Sequence, residues 1–119
     1  MNNIIVTGGC GFIGINLIKS LLKNKNNNIL NLDSLTSTSM PEWLREHKNN
    51  ALYNFKKVNI CDKTKLKNIF IKFKPNLVFH LAAESHVDTS INNPDIFIQT
   101  NIIGTFNLLE VSKLYYDKL

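Results

Sequence analysis

The 119-residue chain is poor in cysteine (two), arginine (one), tryptophan (one), proline (three) and glycine (five), and each shortage removes a class of protein. Two thiols, Cys10 and Cys61, are too few for a disulfide scaffold or a cysteine-ligated metal site, so both read as small packing residues in a reducing compartment, and no metal is expected. No apolar run approaches the roughly 18 to 20 residues that span a bilayer, and Met1, Asn2 and Asn3 bring no basic segment of the kind that opens a signal peptide. A cytoplasmic protein without membrane contact is the expectation. With Arg45 alone there is no guanidinium cluster for phosphate or base recognition. The net charge of +5 still raises the question of a nucleic-acid partner, but the lysines are scattered from Lys19 to Lys118, with only Lys56 and Lys57 adjacent. Lysine, asparagine and isoleucine together fill 45 positions, which marks a coding bias rather than a basic face, so no nucleic acid is expected.

What is present is a regular alternation of two hydrophobic periods. Residues 3–7 form a short β-branched run closed by Gly8 and Gly9, which reads as a strand buried on both faces. From Phe12 the apolar residues Ile15, Ile18, Leu21 and Leu22 follow a helical spacing to Lys23, and the polar residues 24–28 stop it. Residues 29–33 predict a second strand, residues 40–44 a short helix with Pro41 in its first turn, and residues 53–60 a third strand. Asp62 is placed to cap a helix whose stripe is Leu66, Ile69, Phe70 and Phe73, and residues 74–76 break it. Residues 77–81 predict a fourth strand, then a polar loop, then a long helix opened by Asn93 and Pro94 with Ile96, Ile103, Phe106, Leu109 and Leu114 as its apolar positions. Four strands alternating with helices over short connections specify a Rossmann-like, doubly wound α/β fold with a parallel sheet, truncated to about four strands.

The scarce glycines are concentrated where chemistry would need them. Gly8, Gly11 and Gly14 fall at the first strand-to-helix junction: the first permits a tight turn, the second lets a pyrophosphate approach the backbone, and the third lets the helix pack closely. The free N–H groups and positive dipole end of that helix would stabilise phosphates without a lysine. Asp33, at the end of the second strand and 19 residues beyond Gly14, is placed to accept both ribose hydroxyls of an adenosine. A 2′-phosphate would be repelled there, so NAD is the expected cofactor.

The glycine loop, the run from Leu32 to Thr36, and above all HLAAESHVD at residues 80–88 resemble the extended short-chain dehydrogenase/reductase family. The ESHVDTSI run at residues 84–91 and TNIIGT at residues 100–105 are similar to its sugar-nucleotide 4,6-dehydratases rather than to epimerases or reductases at large. The resemblance covers almost all of the chain but only the first third of a full-length member, so residues 1–119 are expected to be the NAD-binding domain without the substrate domain. It implies cofactor contacts from Phe12 and Ile13 at the pyrophosphate loop, from Asp33, Ser34, Leu35 and Thr36 at the ribose, and from Asn59 and Ile60 at the adenine. On the nicotinamide half it implies contacts from Leu81, Ala82, Ala83, Glu84, Ser85 and Thr100, with Ser85 and His86 also on the substrate side. In the reaction it implies, a hydride leaves C4 of a nucleotide sugar, water is lost across C5 and C6, and the hydride returns to C6, which makes the enzyme a lyase with tightly held NAD.

The chain departs from the family pattern in two places. Asn59 stands where an aspartate usually holds the adenine, which leaves an acceptor without its charge, and residues 37–40 read STSM in place of YAGN. No catalytic residue is expected within the chain, because the Tyr-x-x-x-Lys pair of the family matches only at Tyr53 and Lys57, in a predicted strand far from the hydride-transfer end. His80 is expected to be a satisfied structural histidine. A four-stranded sheet would leave an open edge and an apolar last helix, so a homodimer or a complementary chain docked through that helix is expected. A non-catalytic dinucleotide-binding module, or another extended member such as a nucleotide-sugar epimerase, is the alternative.

Overall fold

A computed structural model describes the backbone of residues 1–119 and every side chain except those of Val87 and Thr89. Four strands, β1 (Asn2–Thr7), β2 (Asn27–Asp33), β3 (Tyr53–Lys57) and β4 (Leu77–His80), form one parallel sheet in the order β3-β2-β1-β4. The order follows from the crossovers: the chain steps outward from β1 to β2 to β3 on one side, then returns to place β4 on the other flank of β1. That reversal leaves a crevice beyond the carboxyl ends of the strands, the position at which sheets of this kind hold ligands.

Alternation along β1 sorts the core into two layers. Ile4 and Val6 point to the face covered by helix α1 (Phe12–Leu21) and by a 3-10 turn at Pro41–His47, where they meet Ile15, Ile18, Leu22, Ile29 and Leu44. Ile5 points to the opposite face with Leu30, Leu32, Val58 and Ile60, under α2 (Lys63–Phe73) and the C-terminal helix. The Asp62 carboxylate caps α2 by accepting from the Lys65 amide at 3.1 Å, and the helix ends at Lys74, in left-handed conformation with φ 54°, ahead of Pro75. Among the described residues no helix is long and apolar enough to cross a membrane.

The sequence expectations hold for all four strands and the main helices, and they fail locally where asparagine decides. β2 starts at Asn27 rather than at residue 29, inside the polar stretch expected to be a helix stop. There the Asn27 side chain donates to the Leu21 carbonyl at 2.9 Å and accepts from Asn2 Nδ2 at 3.1 Å, so a buried polar side chain is satisfied within the strand. β3 ends three residues early, at Lys57, because Asn59 Oδ1 accepts from the Cys61 amide at 2.9 Å and turns the chain. The loop expected before Asn93 contains a short helix, α3 (Val87–Asn92).

The last helix opens at Pro94 as predicted but is not uniform: α4 (Pro94–Phe97) passes into a wider π-helical stretch (Ile98–Gly104) and then α5 (Thr105–Asp117). α5 buries Asn107, Leu108 and Val111 against α2, where Tyr115 meets Phe70 edge-on at 5.7 Å between ring centroids. Its other face stays bare, with Leu109 exposed beside Leu77 of the β4 edge and Phe106 exposed one turn before it, while Leu114 lies on the α2 side with Phe70 and Ile71. Phe70 is 1% exposed and Phe106 55% exposed, so the two phenylalanines separate core from surface. In urea denaturation Phe70→Ala is expected to remove about 3–5 kcal/mol of stability. Phe106→Ala should change it by less than about 0.5 kcal/mol.

Candidate functional site

Gly8 sets the floor of the crevice. It has φ +69°, and a Cβ there would lie 2.6 Å from the Ala82 nitrogen, so only glycine lets the end of β1 turn while touching the chain that leaves β4. The loop then folds back through Gly11 N–H donating to Gly8 O at 3.1 Å, and α1 begins with its amides uncapped by any side chain. Gly14 packs its Cα against Gly8 O and Gly9, which holds the first turn of α1 on the loop. The outcome is a helix N-terminus presenting unsatisfied N–H groups to the crevice, an arrangement suited to an anion.

Asp33 ties the loops on both sides of this turn. Its Oδ2 accepts from the Cys10 amide at 2.9 Å, and its Oδ1 accepts from the Leu35 amide at 2.7 Å and from Ser39 Oγ at 3.2 Å. The Leu35 amide is within reach because Leu35 adopts φ 59°, a left-handed conformation uncommon for leucine. A carboxylate has about four acceptor positions, so three internal bonds leave room for a ligand hydroxyl, and the 3.2 Å bond to Ser39 is the weakest to exchange.

On the β4 side, Thr7 acts as a hub. Its buried Oγ1 accepts from the Leu81 and Ala82 amides, each at 3.1 Å, and lies 2.6 Å from His80 Nδ1. With two N–H groups already on the oxygen, the hydroxyl hydrogen is the one that faces Nδ1, which makes Nδ1 an acceptor and puts the imidazole proton on Nε2, 2.9 Å from Thr105 Oγ1. Burial pushes the His80 pKa down, in keeping with a neutral ring. His80 is therefore a structural histidine bridging β1, β4 and α5, as the sequence reading expected.

The segment beyond His80 is held by a second device. Asn101, in the π-helical stretch, accepts from the Glu84 amide at 2.8 Å and donates to the Glu84 carbonyl at 2.9 Å, so one side-chain amide pairs with both polar groups of one residue. Nearby, Cys61 Sγ donates to the Gln99 carbonyl at 3.2 Å, and Asn107 Nδ2 donates to the Ile60 and Cys61 carbonyls at 3.4 and 3.2 Å. These contacts draw the helix, the post-β3 turn and the post-β4 segment around the same opening.

The opening is lined by most of the residues singled out in the sequence: Gly8, Gly11, Asp33, Ser34 and Thr36 on one side, Asn59 and Ile60 at one end, and Leu81, Ala82, Ala83, Glu84 and Thr100 on the other. Phe12 and Ile13 are not among the lining residues: they open α1 beside the crevice and project their side chains into solvent, at 73% and 68% exposure. Gly14 lies behind the loop, Leu35 contributes its amide to Asp33, and Ser85 and His86 are exposed and off the crevice wall. Sequence reasoning missed Thr38, Ser39 and Val58 as lining residues, although the hydroxyl-rich residues 36–39 were visible, and it missed Asn101 and Thr7 as braces. Tyr53 and Lys57 sit on the outermost strand, β3, on the far side of β2 from β1 and β4, so their spacing has no catalytic meaning here.

A family profile described as GDP-mannose 4,6 dehydratase matches residues 5–118. Among curated proteins, the chain is 50% identical over 119 residues to the dTDP-glucose 4,6-dehydratase of Haemophilus influenzae, all of this chain but 35% of that protein. Among solved structures, the Bacillus anthracis dTDP-glucose 4,6-dehydratase in complex with NAD superimposes with a TM-score of 0.84 at 33% identity, covering 97% of this chain and 34% of that one. The UDP-glucose 4-epimerase of Thermotoga maritima, with UDP-glucose, also gives 0.84, at 37% identity over 97% of this chain and 35% of that one. The chain thus spans about a third of the length of the relatives it matches.

The His80 network carries a pH signature. Because its folded pKa lies below the ordinary value near ~6.5, the unfolded chain takes up the proton first as pH falls, and stability declines from about pH 6.5 downward. The urea midpoint should therefore drop between pH 7 and pH 5, and His80→Asn, which keeps an acceptor facing Thr7, should flatten that drop. An unchanged pH profile in the variant would contradict the assignment.

Proposed function

Because the chain belongs to the GDP-mannose 4,6 dehydratase family of extended short-chain dehydrogenases/reductases, we propose that residues 1–119 are the NAD-binding domain of a sugar-nucleotide 4,6-dehydratase acting on dTDP-glucose. The observation that carries the reading is the convergence, on one crevice at the strand-order reversal, of an uncapped helix N-terminus, a buried carboxylate and the braced segment after β4. The residues present fit NAD. The amides of Phe12 and Ile13 would face its pyrophosphate, Asp33 with Ser34 and the Leu35–Thr36 backbone its adenosine ribose, and Asn59 and Ile60 its adenine. Asn59 uses its carbonyl oxygen to turn the chain at Cys61 but retains a second lone pair for an adenine amino group. The nicotinamide half would lie along Leu81, Ala82, Ala83, Glu84 and Thr100, with Ser85 and His86 toward the sugar nucleotide.

Bound NAD supplies a hydride acceptor and donor; the residues of this chain supply position. Asp33 selects against a 2′-phosphate by charge, Thr7 and Asn101 hold the backbone after β4, and Gly8 lets that segment lie against the loop. The 50% identity to the Haemophilus influenzae dehydratase over the whole chain favours the dehydratase reading, whereas the fold alone matches a dehydratase and an epimerase equally, each with a TM-score of 0.84. The bare apolar face of α5 and the β4 edge favour pairing of this domain with a second copy or a complementary chain.

Three measurements test these readings. Titration calorimetry should show NAD binding with NADP much weaker, and Asp33→Ala should weaken NAD by at least about tenfold, as expected for a charged hydrogen bond removed from a braced loop. Equal affinity for NAD and NADP would contradict the cofactor assignment. The 119-residue chain alone should yield no 4-keto sugar product from dTDP-glucose, and turnover would overturn the placement of the acid–base machinery outside it. Light scattering at high concentration should give a mass above that of the monomer, falling when Leu109 is replaced by Glu; a monomer throughout would contradict pairing through α5.

A further inference from the structure

Tyr53, which the sequence pattern pairs with Lys57 and which the proposed site does not use, is not idle. Its hydroxyl accepts from Asn31 Nδ2 at 3.1 Å, across the β2–β3 pairing that sets Tyr53 beside Ile29. The same Asn31 amide nitrogen lies 3.5 Å from Cys10 Sγ, within hydrogen-bond reach of a sulfur acceptor. Asn31 is fully buried between Leu30 and Leu32 in β2, where an asparagine is costly unless its amide is placed. Among the described residues, its Oδ1 is the buried side-chain polar atom with no hydrogen-bond partner. That oxygen faces Gly9: a Cβ on Gly9 would collide with it, so it rests against the glycine Cα in the space that any other residue would fill. Tyr53, Asn31 and the turn at Gly9 and Cys10 form one chain of contacts reaching from the outer strand to the back of the loop that Asp33 holds from the front.

We propose that Tyr53 is a positioning residue for the dinucleotide loop: its hydroxyl orients the Asn31 amide, whose oxygen wedges Gly9 and whose nitrogen meets Cys10, fixing the turn that presents the α1 amides. The cofactor consequence rests on the NAD-binding reading above, whereas the loop consequence does not. Without the hydroxyl, Asn31 is free to rotate, its carbonyl leaves Gly9, and the loop loses the stop that backs it. Tyr53 does not line the crevice, so its hydroxyl bears on the loop through Asn31.

Cys10 and Cys61 supply an internal readout. Cys10 is 1% exposed, and burial together with the neighbouring Asp33 pushes its thiol pKa up to about 11, so it should alkylate slowly while the loop is closed. Cys61 is less buried and lies on the opposite face of the sheet, beyond β3. Iodoacetamide labelling of the full 119-residue chain, read by mass spectrometry, should show Cys10 reacting roughly five-fold faster in Tyr53→Phe with Cys61 unchanged, and NAD affinity should fall by a similar factor. Asn31→Ala should reproduce both effects, and the double variant should be no worse than Asn31→Ala alone, because the two side chains act in series. Equal acceleration of both thiols, an unchanged Cys10 rate, or additive effects in the double variant would overturn the proposal. Absence of NAD binding to the unmodified chain would instead sink the cofactor reading, and the thiol rates would still decide the role of Tyr53.

Discussion

The close approach of β1 and β4 at their carboxyl ends is the constraint on which the remaining structure depends. Gly8 lies against the Ala82 backbone, while the preceding Thr7 collects the Leu81 and Ala82 amides on a single buried oxygen and donates its hydroxyl hydrogen bond to His80. If the two strand ends stood further apart, the segment after β4 would have neither its backbone partners nor a wall to lie against. The loop after β1 would then lose the surface it turns over. Everything placed around the crevice, from the carboxylate of Asp33 to the amide pair of Asn101 and Glu84, is positioned relative to that contact.

Asparagine does much of the bracing. In composition it reads as a coding bias, and many of its copies are surface residues, yet Asn27, Asn31 and Asn107 are buried and Asn101 is partly so. Two of them join backbone segments that are far apart in the chain: Asn107 reaches from α5 to the carbonyls of Ile60 and Cys61, and Asn101 reaches from the π-helical stretch to Glu84. A side-chain amide carries both a donor and an acceptor, so it can close a gap between two backbones without bringing a charge into the core. The π-helical widening at Ile98–Gly104 serves the same end, since it is the stretch that carries both Thr100 into the crevice and Asn101 onto Glu84.

The fold was legible because its signals are local and redundant: a β-branched run before a glycine loop, an aspartate cap before a helical stripe, a proline at the start of the last helix. The crevice was legible where a motif names residues directly, as with Gly8, Asp33 and Leu81 through Glu84. It was not legible where function passes through partners. Nothing in the spacing of Thr7, His80 and Thr105 announces that three elements meet at one imidazole, and the hydrogen bonds of Asn31 to Tyr53 on β3 and to Cys10 in the β1–α1 turn span 22 and 21 residues. Strand limits moved for the same reason, because asparagine side chains at Asn27 and Asn59 made local bonds that no hydrophobic period records.

The exposed face of α5 and the β4 edge are the counterpart of the crevice: the carboxyl ends of the strands converge on one opening, while the flank beside β4 carries exposed apolar residues. Resonance-by-resonance NMR of the backbone amides during NAD addition tests the central claim most directly. The account predicts that Gly11, Phe12, Ile13, Leu35, Asn59 and the amides from Leu81 to Ser85 shift together and saturate at one concentration, while α2 stays still. Saturable shifts centred on α2 and α5, or none at all at millimolar NAD, would contradict it.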